Sequence, residues 1–81
     1  MDITKILGTI SDYRTKAIFA DRQDIVKQLQ SLIPFALLVY EYKDFPNSDE
    51  YQENRKGFYD VLGKIPSEWQ PFKMPKKTGE N

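Results

Sequence analysis

The chain has 81 residues, with twelve basic and twelve acidic side chains, no cysteine and no histidine. This length builds one small domain (1–81), and the missing residue types exclude a disulfide framework, thiolate metal sites and the usual general base at neutral pH. Balanced charge lacks the electrostatic footprint of a protein that neutralises many phosphates, so nucleic-acid binding is disfavoured.

The N-terminus, Met-Asp-Ile-Thr-Lys-Ile-Leu-Gly, has an early acid and only one lysine, unlike a signal peptide, so the expected location is cytoplasmic. Apolar residues at 3, 6, 10, 13, 17 and 20 step by three and four, which predicts a first helix over about 2–19 with Asp2 in its first turn. A second stripe, shifted by one residue, runs through Ile18, Ile25, Leu29, Leu32, Ala36 and Val39. The change of phase predicts a break near 19–24, with Asp21 as the N-cap of a second helix over 22–43.

Residues 32–42 read Leu-Ile-Pro-Phe-Ala-Leu-Leu-Val-Tyr-Glu-Tyr, apolar on every side. The run is too short for the roughly 20 residues of a membrane span, so it must be covered by protein on more than one face. Pro34 costs about 3 kcal/mol inside a helix, and the expectation is a kink there. The alternative is an α/β fold, with strands near 15–20 and 35–42 in a sheet completed by dimerisation. On the helical reading, Phe35, Leu38 and Val39 form a self-interface, and the chain is a homo-oligomer.

Asp44-Phe45-Pro46-Asn47-Ser48 is a turn by composition. A third helix is predicted over 48–62, opened by Asn47 or Ser48 and the acids Asp49 and Glu50, and closed by Gly63 as a left-handed cap. Residues 64–81 carry prolines at 66, 71 and 75 among Trp69, Phe72 and Met74, the composition of an extended strap that docks on a groove. Residues 77–81 are expected to be disordered. The fold expected is thus all-α: three helices with a docked proline-rich tail.

Catalytic raw material is thin. Acid pairs such as Asp21 with Asp24, or Asp49 with Glu50, are accounted for by helix starts, and no histidine activates a serine. The glycines at 8, 57, 63 and 79 are isolated, so no phosphate loop is present, and neither a metal nor another cofactor is expected. Aromatics are instead in surplus, at 14% of the chain. Their amphipathic surfaces suit interfaces, which points to a non-enzymatic protein-protein interaction module: a small regulator, adaptor or inhibitor. The expected contacts are Tyr40, Tyr42, Phe45, Trp69, Phe72 and Met74. A rival reading is a small anionic ligand, such as a nucleotide, held between subunits by Tyr13, Arg14, Lys16 and Lys43. Nucleic-acid binding through Lys73, Lys76 and Lys77 with Trp69 and Phe72 ranks last, because three lysines release few counterions.

Overall fold

The structure is a computed structural model and describes residues 2–74. Three α-helices run in chain order, α1 (Ile3–Phe19), α2 (Gln23–Glu41) and α3 (Asp49–Lys64), followed by a 3₁₀ turn at Ser67–Trp69. No strand occurs among the described residues, so the alternative α/β fold is overturned: residues 15–19 and 35–41 are helical. Residues 77–81 lie outside the described residues.

Local chemistry accounts for the helix ends. Asp2 caps α1 by accepting from the Thr4 amide at 2.9 Å. At the other end of α1, the Arg22 amide donates to the Ala17 carbonyl at 2.9 Å and the Asp21 amide to Ile18 at 3.1 Å. This is a Schellman ending, and Asp21 holds its left-handed position at φ 57°. Asp21 therefore closes α1 and does not open α2, which corrects its expected role as an N-cap. Arg22 occupies that position, with no side-chain cap bond. Its guanidinium instead binds Asp24 in the first turn at 3.1 Å, and that hydrogen bond holds the Asp24 carboxyl below the ordinary carboxylate range.

α2 passes through Pro34 without a break. The proline is on the exposed side of the helix, as is Gln30, whose carbonyl loses its helical partner there. A chain reversal at Pro34 would have pulled Ala36 out of the inward row that also holds Ile25, Leu29 and Leu32. α2 is the middle helix, packed by α1 on one side and α3 on the other, and these neighbours cover the two faces that its apolar sequence demands.

α3 begins at Ser48, whose hydroxyl oxygen accepts from the Tyr51 amide at 3.2 Å while donating to the Phe45 carbonyl at 2.7 Å. It ends later than Gly63 implies. The helix runs on to Lys64 and is capped by Ile65 in extended conformation, because Leu62 and Ile65 are both in the core and the chain turns only after them. Beyond it, Gln70 Nε2 donates to the carbonyls of Leu62 at 3.0 Å and Ile65 at 2.9 Å, which ties the strap back over the end of α3.

The core consists of Ile10, Ala17, Ile25, Val26, Leu29, Leu32, Ala36, Leu62 and Ile65. It is distributed unevenly along the layer. The helices alternate in direction, so the C-terminus of α1, the N-terminus of α2 and the C-terminus of α3 share one end, where most of these residues lie. The molecule measures 40 × 32 × 18 Å, its thin direction less than two helix diameters of about 10–12 Å.

Candidate functional site

At the opposite end, a groove of about 590 Å³ opens between α1 and α3 over the C-terminal half of α2. Ile3 and Ile6 of α1 form one wall, and Tyr51, Phe58 and Tyr59 of α3 form the other. Ala36, Val39 and Tyr40 of α2 make the floor, with Phe72 from the strap at the inner end. Ala36 is the only lining residue that is buried, and its methyl group is the smallest side chain on the floor. The volume falls within the range of sites that hold ligands or partner side chains, about 300–1,000 Å³.

Two cations stand on the rim, each laid over a tyrosine. Lys43 Nζ is 5.3 Å from the Tyr40 ring centroid, and it pairs with Asp44 at 3.3 Å. The Arg55 guanidinium carbon is 4.9 Å from the Tyr59 centroid. Among the described residues, Arg55 has no carboxylate within 4.0 Å. Helical spacing sets this up, since Tyr51, Arg55 and Tyr59 lie four residues apart and share one face of α3. Phe58 braces the wall, edge-on to Tyr59 at 5.3 Å and tilted against Phe72 at 5.9 Å.

The expected contact residues are dispersed over the molecule. Tyr40 and Phe72 line the groove, and Tyr42 is half-buried at the cap of α2. Phe45 is 64% exposed in the turn beyond it, and Met74, 43% exposed, reaches over Gly63. Trp69 packs on the core at the closed end, in a hollow of about 350 Å³ with Tyr13, Lys16 and Glu68. Of the expected self-interface, Leu38 is exposed, Val39 lines the groove, and Phe35 is half-buried against Gly57 of α3.

The four residues of the anionic-ligand reading do not meet within one protomer. Tyr13 and Lys16 lie by Trp69, with Lys16 Nζ 5.0 Å from the Tyr13 centroid, and the Glu68 carboxylate shares their hollow. Arg14 turns to Gln30, whose carboxamide oxygen, in the orientation that satisfies both ends of the amide, accepts from Nε at 3.0 Å and Nη2 at 3.2 Å. Lys43 is at the groove, at the other end of the layer.

Sequence reasoning missed Ile3, Ile6, Ala36, Tyr51, Arg55 and Tyr59 as a site. Two signals were present: an alanine on the inward row of α2 between larger residues, and the i, i+4 ladder of Tyr51, Arg55 and Tyr59. Among the described residues no helix is long and apolar enough to cross a membrane, and no group of three or more acidic side chains is placed to hold a metal ion. No protein-family model, curated protein or solved structure matches this chain.

Proposed function

We propose that this chain is a non-enzymatic protein-protein interaction module, a small regulator, adaptor or inhibitor that acts by occupying a surface of another protein. The observation that carries this reading is the open groove, an aromatic trough continuous with the exposed turn at Phe45. Such a combination, apolar at the centre with tyrosine hydroxyls and cations at the margin, is the composition of an interface hot spot and its rim. The one carboxylate among its lining residues, Asp44, is exposed and paired with Lys43, which suits the polar rim of an interface.

The test is affinity capture from cells with quantitative mass spectrometry, comparing the natural chain with Ala36→Leu, which fills the groove, and Phe45→Ser, which removes the exposed ring. Specific partners are expected to fall at least tenfold with one or both variants. Equal recovery of every captured protein with both variants would reject the proposal.

A further inference from the structure

The strap shows how this fold completes its own core. At the closed end residues 65–72 run beside α1 and α3: Trp69 shares a hollow with Tyr13, and Phe72 lies tilted against Phe58 at 5.9 Å. Among the described residues the strap goes no farther along the groove than Phe72. Beyond Phe72 the trough is open along Ile3, Ile6 and Val39, where an occupant can be seated.

Geometry and charge together define that occupant. Three helices surround the trough, α1 and α3 as walls and α2 as floor, which leaves the position that the fourth member of a helix bundle takes. Filling it requires a row of large apolar side chains at helical spacing, to cover Ile3, Ile6, Val39 and Phe58. The rim asks for an acid. Lys43 is already offset by Asp44, whereas Arg55 is held over Tyr59 with its donors unmatched by any carboxylate among the described residues. The acids of α3, Asp49, Glu50, Glu53 and Asp60, are all exposed, and Glu53 and Asp60 fall on the opposite side of the helix from Tyr51, Arg55 and Phe58.

A second copy of this chain does not meet the requirement. Among the described residues the exposed large apolar side chains are the pairs Ile18 and Phe19 on α1 and Leu37 and Leu38 on α2, with Phe45 and Met74 single residues outside the helices and none on α3. Each pair is adjacent in sequence, so neither makes a stripe along a helix; the row through Leu38 continues as Pro34, Ser31 and Lys27. Building on the interaction-module reading, we infer that the groove seats an amphipathic helix of a partner protein, its apolar stripe in the trough and an Asp or Glu beside that stripe paired with Arg55.

The experiment is selection of a displayed library of random 16-residue peptides on the full-length chain. Affinities of enriched peptides are then measured against the natural chain, Ala36→Leu and Arg55→Glu, each checked for folding by circular dichroism. Enriched peptides are expected to carry large apolar residues at i, i+3, i+4 and i+7 with a flanking acid. They should lose at least tenfold in affinity on Ala36→Leu and on Arg55→Glu, and changing the peptide acid to lysine should recover binding to Arg55→Glu. No enrichment, enrichment of basic or proline-rich peptides, or unchanged binding to Ala36→Leu overturns the inference. So does light scattering that gives twice the 9.5 kDa chain mass and a return to monomer on Ala36→Leu, since the groove would then hold a second copy. Cellular partners lost on Phe45→Ser but retained on Ala36→Leu would reject the groove helix and leave the interaction-module reading standing.

Discussion

The two ends of this three-helix layer both turn apolar side chains inward and are finished differently. Where α1 ends and α2 begins, Ala17, Ile25, Leu29, Leu62 and Ile65 are at most 2% exposed, and the strap closes over them. Where α2 ends and α3 begins, the inward side chains are Ile3, Ile6, Val39, Tyr40, Tyr51 and Tyr59, all half-buried around a groove. The first end is sealed by a strap held by two hydrogen bonds from Gln70, and nothing equivalent bridges the second among the described residues. The fully buried side chains and the open groove thus lie at different ends of one small molecule.

The largest expected effect comes from truncating the sealed end. Leu29 is fully buried, so Leu29→Ala removes apolar contacts and leaves a cavity, a loss of about 2–5 kcal/mol. Ile6 is half-buried on the groove wall, and Ile6→Ala is expected to cost about 1 kcal/mol or less, because much of its surface is already wet. Urea denaturation of both variants, fitted at constant slope, checks the difference. Equal losses would mean that the groove is no looser than the core.

Adding volume should give the reverse order. Ala17 is fully enclosed, and Ala17→Leu must displace packed neighbours, at about 1–3 kcal/mol. Ala36 faces the empty trough, so Ala36→Leu has somewhere to go and is expected to be neutral or to stabilise by up to about 1 kcal/mol. The same chemical change with opposite outcomes at the two ends is the sharpest form of the comparison. A loss at Ala36 as large as at Ala17 would mean that the groove cannot admit a leucine, and it would remove the variant on which the binding experiments depend.

The sealed end was the more legible of the two. Its residues repeat at three and four along each helix, and burial follows that spacing from Ile10 to Ala17 and from Ile25 through Leu29 to Leu32. The turn chemistry was harder to read. An aspartate before a helix reads as an N-cap, yet Asp21 takes the left-handed place at the end of α1, because the reversal to α2 needs that conformation and glycine is absent there. Gly63 reads as a stop, but the need to bury Ile65 three residues after Leu62 carries α3 past it. The groove was illegible for a different reason. Periodicity identifies the inward face of each helix separately, whereas a groove exists only where inward faces from three helices fail to meet.

Phe35 marks the boundary between the ends, and its setting supplies the subtlest prediction. Its ring lies so close to α3 that a Cβ on Gly57 would come within 2.5 Å of Cε1 and 2.8 Å of Cζ. In isolation, Gly57→Ala should favour a mid-helix position by about 0.5–1 kcal/mol. Against the ring it forces Phe35 from its place or pushes α3 outward, at about 1–3 kcal/mol. The clash outweighs the helix preference, so a net loss of about 1 kcal/mol is expected in the natural background. With Phe35→Leu the obstacle is gone, and the same alanine should become stabilising by its helix preference alone. A double-mutant cycle measured by denaturation isolates this reversal. If Gly57→Ala destabilised both backgrounds equally, the ring would not be what keeps position 57 a glycine, and the junction between the sealed and open ends would have to be set by something other than Phe35.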